Sequence, residues 1–372
     1  MKSILRRLKQ FVYLIKDRQN LLFGASYYPE YDRKSSFKVL IEQLFFILKY
    51  GRYEPFYFTY GFDRKHMTLD KICSTYIIPY QNFQKKVDKL NTINPTYGKY
   101  HGRTITADKF YFSIFLEKFN IPTPKVYCYI RKKRIIYLSS DFNVDNTLDD
   151  RIQLISLLSN NMDAFAKPAD GQLGNGVFSL RVVDGKIYKD GQLITVDDII
   201  DILFSADYLI QKRVVQHPKM SALCTTTLNS IRLQTVIDPD SGKVIPFAAG
   251  LRMGREGSYV DNWAKGGIFV GIDMKTGKLF DRGFIKPMYG TSVKSHIDSG
   301  IVFKDYEIPY FHEAVQLAKT LHTAMYRCHS VGWDIAITEQ GPIFIEGNGL
   351  WEISLLQAAH GGLKHIEKYF EK

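Results

Sequence analysis

Hydrophobic and polar residues alternate along two segments near the C-terminus, "VGWDIAIT" and "GPIFIEGN". A period of two is typical of strands that bury one face. The intervening "EQG" ends in glycine and predicts a hairpin with a three-residue loop. In that register Thr338 faces Pro342 and Asp334 faces Glu346, with Asn348 on the same side as the carboxylates. The opposite face is expected to pack on the core and carries Trp333, Ile335, Ile337, Ile343 and Ile345.

The polar face of this hairpin is a candidate metal site. Two carboxylates directly opposite each other repel unless a cation lies between them. Carboxylate and amide oxygens suit magnesium, which takes few protein ligands together with substrate phosphates. Asp334, Glu346 and Asn348 are therefore candidate magnesium ligands, and a polar, solvated sheet face is the alternative interpretation.

The rest of the pattern mixes helices with antiparallel hairpins. Residues up to about 105 are helical at first and then aromatic and rich in loops, and "ITADKFYFSIFLEKF" predicts one capped helix that ends before Pro122. From residue 163 strands dominate, with a hairpin turn at Asp184-Gly185 and a single strand over "KIYKDGQLITV". A long helix precedes the C-terminal hairpin, and a last helix ends at Gly361. The mixture indicates an α+β fold.

Composition and charge narrow the class of protein. The chain has 372 residues, of which 45% are hydrophobic, so it can bury a large core divided into two or three domains. Its four cysteines are scattered without a C-x-x-C pair, which favours a reducing compartment over a zinc site or disulfide framework. The net charge of +12 favours anionic partners such as nucleotides, acidic polymers or an anionic membrane. Without a recognisable nucleic-acid module, no nucleic-acid partner is expected.

Residues 1–20 predict a basic amphipathic helix. Its apolar side is formed by Ile4, Leu5, Leu8, Phe11, Val12 and Ile15, and most lysines and arginines lie elsewhere. Such a helix can lie on an anionic bilayer, and docking on another domain is the alternative. No segment reaches the roughly 18 apolar residues of a membrane span, and no signal-peptide cleavage motif follows. A cytoplasmic location is therefore expected, with any membrane contact peripheral and at the inner face.

A lysine followed by a glycine-rich loop is a candidate phosphate site. In "AKPADGQLGNGV", Lys167 ends a predicted strand and precedes Gly171, Gly174 and Gly176. Glycines let backbone amides approach phosphate oxygens, and the lysine adds positive charge. Because the loop lies between strands, it predicts a flap over a nucleotide rather than a P-loop or dinucleotide fingerprint. An ordinary glycine-rich hairpin loop is the alternative.

Further candidates lie on the following strands. Arg232 and Arg252 fall on two strands that should pair, where with Asn229 they could hold a phosphate or acyl phosphate. Solvated arginines are the alternative. The polar turn "DNWAKGG" adds Asn262, Gly266 and Gly267 as candidate substrate contacts. In "DYLIQKRVVQHP", the backbone from Gln211 to Val214 could meet an adenine edge, although the segment taken alone favours a plain core strand.

The order of lysine, glycine flap, apolar strand, arginine strands and D…E-x-N resembles the ATP-grasp superfamily. "KPADGQLGNGV", "NSIRLQTV", "AGLRMG", "DNWAKGGIFVGID" and "VGWDIAITEQGPIFIEGNG" are most similar to the sugar-transfer-associated ATP-grasp family, over roughly residues 100–365. The resemblance implies an ATP-grasp fold, in which two α+β subdomains clasp ATP between them. A mainly helical N-terminal region is expected to precede them. The implied divisions are an N-terminal region over 1–105, a lid subdomain with the flap over 106–207, and a C-terminal subdomain with the magnesium site over 208–372.

The resemblance also implies roles for individual residues. Lys109 in "ADKF" and Lys167 match lysines that contact nucleotide phosphates, and Gln211 and Val214 fall on the strand whose backbone meets adenine. Positions near the transferred phosphoryl group are matched by Arg232 and Arg252, which with Lys167 form the expected catalytic set. The magnesium ligands are matched by Asp334, Glu346 and Asn348. Many relatives place an acidic ribose contact just beyond the hinge, but this chain reads "VVQHPKMS" there, so the ribose contact is unassigned.

The implied function is an ATP- and Mg²⁺-dependent carboxylate–amine ligase. It would form an amide through an acyl phosphate, with a carboxylate and an amine as substrates, on a surface polysaccharide or its sugar or amino-acid precursor. One alternative is a kinase of the same fold that phosphorylates a hydroxyl. A non-catalytic nucleotide-binding module that docks on membrane is the other.

Overall fold

Two seven-stranded antiparallel sheets form the centre of the computed structural model, which describes residues 2–92, 102–169, 176–257 and 263–371. The first sheet has the order β2-β1-β7-β3-β4-β5-β6. Its strands are β1 (Val126–Arg131), β2 (Arg134–Leu138), β3 (Met162–Pro168), β4 (Phe178–Val183), β5 (Lys186–Lys189), β6 (Gln192–Ile194) and β7 (Tyr208–Lys212).

The second sheet has the order β12-β11-β10-β9-β8-β13-β14. Its strands are β8 (Ser230–Ile237), β9 (Val244–Met253), β10 (Ile268–Ile272), β11 (Leu279–Phe284), β12 (Ser292–Val293), β13 (Ser330–Thr338) and β14 (Gly341–Asn348).

Helices cover the sheets and form most of the N-terminal region. They are α1 (Lys2–Lys16), α2 (Arg18–Leu22), α3 (Ser36–Tyr50), α4 (Leu69–Thr75), α5 (Tyr80–Thr92), α6 (Thr104–Ala107), α7 (Lys109–Lys118), α8 (Asp150–Leu158), α9 (Val196–Phe204), α10 (Pro218–Leu223), α11 (Phe311–Ala324) and α12 (Ser354–His360), with 3-10 turns at Trp263–Lys265 and Lys364–Phe370. Among the described residues, none of these helices combines the length and apolar character that crossing a membrane requires.

This architecture confirms the predicted α+β class and the helical, aromatic N-terminal region. Each sheet buries its own apolar cluster, the first against α8 and α9 and the second against α11. The N-terminal region packs on the second sheet, where the backbone oxygen of Tyr27 accepts hydrogen bonds from Arg282 (2.7 Å) and Ser292 (2.6 Å). The helix that precedes the C-terminal hairpin is confirmed as α11, and α12 ends at Gly361 in the left-handed conformation, as predicted.

Two element predictions were wrong because short-range signals were missed. "KIYKDGQLITV" forms two strands, β5 and β6, because Asp190 and Gly191 adopt left-handed φ angles of 49° and 78° and reverse the chain. The expected single helix from Ile105 is interrupted at Asp108, whose extended backbone and side chain cap α7 by accepting from the amides of Phe110 and Tyr111. The cap places Lys109 in the first turn of α7.

The C-terminal hairpin has the predicted central pair but a different turn. The loop has two residues, so Thr338 pairs with Gly341 and Ile337, not Thr338, pairs with Pro342. A β-bulge between Asp334 and Ile335 absorbs the shift and returns Asp334 to its position opposite Glu346.

The bulge also changes which residues of β14 face the core. Phe344 pairs with Ile335 and is fully buried in the cluster beneath the sheet. The expected core positions Ile343 and Ile345 are only partly buried, whereas Trp333, Ile335 and Ile337 are buried as predicted.

The strand β7 pairs with β1 and β3 inside the first sheet. It begins at Tyr208, directly after the predicted boundary between residues 207 and 208, so that boundary separates β7 from the strands with which it pairs. The domain limits at 105 and 207 stay predictions, and the first sheet extends to Lys212.

Asn91 joins α5 to the strands that carry the candidate metal ligands. Its fully buried amide donates to the backbone oxygens of Ser330 (2.7 Å) and Gly349, and its oxygen accepts from the Ser330 amide (3.0 Å). These bonds satisfy backbone groups beside β13 and after β14 that are shielded from water.

We expect Asn91→Ala to lower the free energy of unfolding by about 3 kcal/mol, because it leaves three buried backbone groups without partners. Denaturant unfolding monitored by circular dichroism measures the change. Asn82→Ala, at an exposed position of the same helix, is the matched control and is expected to cost about 0.5 kcal/mol or less. Equal losses in the two variants would contradict the anchoring role.

Candidate active site

Four charged side chains form a row across one face of the second sheet. Asp334 on β13 pairs with Arg232 on β8 and with Glu346 on β14. Arg252 on β9 pairs with Ser230, two residues from Arg232, and therefore extends the row by a diagonal step. The row thus runs from two cations on β9 and β8, through Asp334 on β13, to Glu346 on the edge strand β14.

Three neighbouring side chains of the sheet hold the carboxylate of Asp334 in place. The Nε and Nη2 atoms of Arg232 lie 2.7 and 3.1 Å from its two carboxylate oxygens, a forked pair. The Nη1 atom of Arg252 lies 3.3 and 3.2 Å from the same oxygens, and the Asn348 amide nitrogen lies 3.5 Å from Oδ2. With only 4% of Asp334 exposed, this geometry sets the carboxylate in one orientation.

Glu346, on β14, lies within electrostatic range of charged groups on both sheets and on α7. Burial raises its pKa, and the charge of Asp334 raises it further, while Lys109, Arg232 and Arg252 oppose the shift. Burial lowers the pKa of Lys167 to about 8, an effect that Glu346 opposes and Lys109 reinforces. Lys167 is on β3 of the first sheet and Lys109 is in the first turn of α7, so the structure brings all the predicted lysines, arginines and carboxylates into one electrostatic group.

Two glycines next to the metal candidates allow helix α6 to approach the sheet edge. A Cβ atom at Gly347 would lie 3.0 Å from the Thr106 methyl, and one at Gly349 would lie 2.5 Å from Cβ of Arg103. Thr106 also accepts a hydrogen bond of 3.3 Å from the Gly349 amide. The close packing brings the start of α7, and hence Lys109, towards Glu346. Sequence reasoning missed this function of the alternating glycines in "EGNG".

The donor set at the sheet edge fits a hard divalent cation. Asp334, Glu346 and Asn348 offer carboxylate and amide oxygens, which magnesium prefers. Burial, and after it the charge of Asp334, raises the pKa of Glu346, and a bound cation would favour its charged form. Within the described residues no group of three His, Cys, Asp or Glu side chains forms another metal cluster. The assignment of these three residues as ligands stays a prediction.

Only one of the three flap glycines can be placed. Gly171 and Gly174 lie outside the described residues, as does Asn262 of the polar turn. Gly176 has a φ of +72°, and a Cβ atom there would lie 2.9 Å from the Pro168 ring, so glycine is required where the flap rejoins β4. Gly266, with a φ of +92°, ends the turn at Trp263–Lys265, and it and Gly267 are buried.

The predicted hinge residues lie at the end of β7. Gln211 pairs with Val126 and Phe165 on the flanking strands, and its side chain donates to the Ser113 hydroxyl (3.2 Å). Val214 follows the strand end and is partly buried. Their adenine contact stays a prediction.

Asn229 is fully buried and bound by the protein itself. Its amide nitrogen donates to the backbone oxygens of Met220 (2.7 Å) and Cys224 (2.9 Å), and its backbone amide donates to Gln216 (3.0 Å). These bonds hold the segment between β7 and β8. The predicted substrate contact of Asn229 stays a prediction.

We expect Asp334→Asn to lower the free energy of unfolding by about 3 kcal/mol, because it leaves two arginines on a buried face without their counter-charge. Chemical denaturation provides the measurement. Asp32→Asn breaks the exposed pair with Lys65 and serves as control, with an expected change below about 0.5 kcal/mol. A loss at Asp334 no larger than the control would contradict a fixed ion-pair cluster.

Comparison with solved structures finds distant likenesses. The ADP complex of purK, an N5-carboxyaminoimidazole ribonucleotide synthetase, is 13% identical with a TM-score of 0.38, over 67% of this chain and 46% of that chain. D-alanyl-alanine synthetase A from Vibrio cholerae O1 biovar eltor is 13% identical with a TM-score of 0.39, over 71% and 61%. VanG D-Ala:D-Ser ligase from Enterococcus faecalis is 11% identical with a TM-score of 0.42, over 72% and 63%. The chain thus spans about half to three fifths of these proteins.

No curated protein shows significant similarity to the chain. The family described as sugar-transfer associated ATP-grasp matches residues 91–372, which include both sheets and the whole charged row. The predicted resemblance and ATP-grasp fold are thereby confirmed. The chain belongs to the sugar-transfer-associated ATP-grasp family.

Proposed function

We propose that the protein is an ATP- and Mg²⁺-dependent carboxylate–amine ligase that acts on a sugar-linked substrate. The observation that carries the proposal is the row from Arg252 to Glu346, with Lys167 and Lys109 added from the first sheet and α7. The family description supports the sugar link. A ligase must also shield its reactive intermediate from water, which ATP hydrolysis without transfer does not require.

Charge complementarity supports a nucleotide between the sheets. Four basic side chains, Arg232, Arg252, Lys109 and Lys167, outnumber the two carboxylates of the group. The excess positive charge would attract a magnesium–triphosphate complex, which is itself negative. Asp334, Glu346 and Asn348 would hold the metal, which would supply positive charge to offset that of the phosphates.

The chain's own residues would then position the reactants. Arg232 and Arg252 keep Asp334 in one orientation. Their guanidinium groups would also stabilise the charge of the transferring phosphoryl group. Lys167 would contact the phosphates from the first sheet in its protonated form. A carboxylate oxygen attacks the terminal phosphorus and ADP leaves; the amine then attacks the acyl carbon, phosphate leaves, and the amine nitrogen loses a proton to give the amide.

A substrate screen that monitors ADP release tests this proposal. Amino acids are crossed against uronic acids and amino sugars, with Mg²⁺ and ATP present. We expect ADP and inorganic phosphate in equal amounts only when an acid and an amine are both supplied, because phosphate leaves in the second step. ADP formed together with a stable phosphorylated hydroxyl would instead identify a kinase and overturn the ligase proposal.

In the same screen, Glu346→Gln tests the assignment of Glu346 as a metal ligand. The substitution keeps the shape of the side chain but removes its charge, and we expect turnover to fall at least about a hundredfold. Glu339→Gln, in the exposed loop of the same hairpin, is expected to retain wild-type turnover. Wild-type activity of Glu346→Gln would show that the metal assignment is wrong.

The low pKa of Lys167 predicts a pH dependence of nucleotide affinity. A lysine with a pKa of about 8 carries its charge below that pH and loses it above, so ADP affinity should hold below pH 8 and fall above it, by up to about tenfold per pH unit. Isothermal titration calorimetry at several pH values measures the change. Lys167→Arg keeps its charge throughout this range, and its affinity is expected to stay flat. An identical decline in both proteins would exclude Lys167 as its source.

A further inference from the structure

The first helix leaves four residues of its predicted apolar face uncovered. Leu5, Leu8, Val12 and Ile15 lie on one side of α1, and between 51% and 69% of each is exposed. Four large aliphatic side chains in one stripe are unusual for a surface helix, since such a stripe is normally the side that packs on the core. This region precedes residue 91 and therefore lies outside the part of the chain that the family match covers.

A different side of α1 attaches the helix to the protein. Leu14 is buried against Leu21 and Ile47, and Phe11 is partly buried in the same cluster. The helix thus docks on α2 and α3 through Leu14 and Phe11, and the membrane contact predicted from the sequence stays a prediction. The docking holds the uncovered stripe on the outside of the protein, already ordered as a helix.

A second apolar stripe lies on α3, the helix on which α1 packs. Phe37, Ile41 and Leu48 follow the helical repeat and have exposed fractions of 71%, 40% and 59%. Leu40 and Leu44, on the neighbouring side of α3, belong to the cluster that receives Leu14. The two stripes therefore border the same helix–helix contact, and we refer to Leu5, Leu8, Val12, Ile15, Phe37, Ile41 and Leu48 as the apolar ridge.

The charges beside the apolar ridge are basic. The sequence of α1 contains no acidic residue, and Lys9 and Lys16 are exposed next to its stripe. On α3, Lys38 and Lys49 are exposed, whereas Glu42 is buried and paired with Lys34 at 2.8 Å. The carboxylate nearest to α1 in the sequence is that of Asp17, between α1 and α2. Exposed apolar side chains flanked by lysines complement a surface that is apolar within and anionic at its boundary.

We propose that the apolar ridge docks the protein on an anionic phospholipid bilayer. The leucine, valine, isoleucine and phenylalanine side chains enter the boundary between headgroups and acyl chains, and the lysines lie along the headgroup phosphates. A second protein copy would also cover apolar side chains, but two such surfaces would bring their lysines together, which disfavours self-association. This inference is independent of the ligase proposal, since the ridge contains none of the site residues.

Vesicle co-sedimentation of the full chain tests the inference. Vesicles of phosphatidylcholine alone are compared with vesicles that also contain phosphatidylglycerol. We expect the partition coefficient to be at least about tenfold higher with the anionic lipid and to fall as salt is added. Equal partition to both vesicle types, or none to either, would overturn the inference.

Paired variants locate the contact. Leu8→Gln with Val12→Gln, and separately Phe37→Gln with Leu48→Gln, are each expected to lower partition at least about tenfold by removing inserted apolar area. Lys9→Gln with Lys16→Gln should reduce the preference for anionic vesicles by about tenfold. Ile136→Gln with Leu193→Gln removes two equally exposed apolar side chains from the first sheet and should change nothing.

Folding and self-association are checked on the same proteins. Circular dichroism and melting temperature should match the wild type, because the substituted side chains are exposed. Light scattering should give a monomer without lipid. A dimer that the Leu8 and Val12 substitutions dissociate would instead assign the ridge to a protein–protein interface and overturn the membrane inference.

Discussion

Two carboxylates that face each other on a buried sheet surface impose the main constraint on this protein. Asp334 and Glu346 cannot both hold a negative charge there without nearby cations. The fold supplies them from separate elements: arginines from β8 and β9, one lysine from β3 and another from the start of α7. The positions of the two sheets and of α7 relative to one another are thus linked to a local balance of charge.

Much of this arrangement could be predicted from the sequence because strand periodicity is a strong local signal. Asp334, Glu346 and Asn348 alternate with apolar residues, and Arg232 and Arg252 fall on adjacent strands with the same alternation. The order of the motifs then identified the family. The α+β class of the fold could be predicted as well, because helical segments are mixed with antiparallel hairpins along the sequence.

The features that could not be predicted depend on tertiary contacts or on the geometry of a single residue. No sequence pattern marks the bulge at Asp334 and Ile335. The sequence therefore predicted Ile343 and Ile345 at the core surface, where the structure has Phe344. The glycines of "EGNG" are required because Thr106 and Arg103 pack closely against them. These two residues lie more than 240 positions earlier in the sequence. The turn at Asp190-Gly191 was visible in the sequence but competed with a continuous strand pattern.

The electrostatic attraction between Lys167 and Glu346 acts from one sheet to the other. The lysine belongs to the first sheet and the carboxylate to the second, and the charge of Glu346 raises the pKa of Lys167 against the effect of burial. Titration of the two groups is therefore linked across the sheets. Any ligand that changes the charge beside Glu346 would change the protonation of Lys167 as well, so that each sheet registers what is bound at the other.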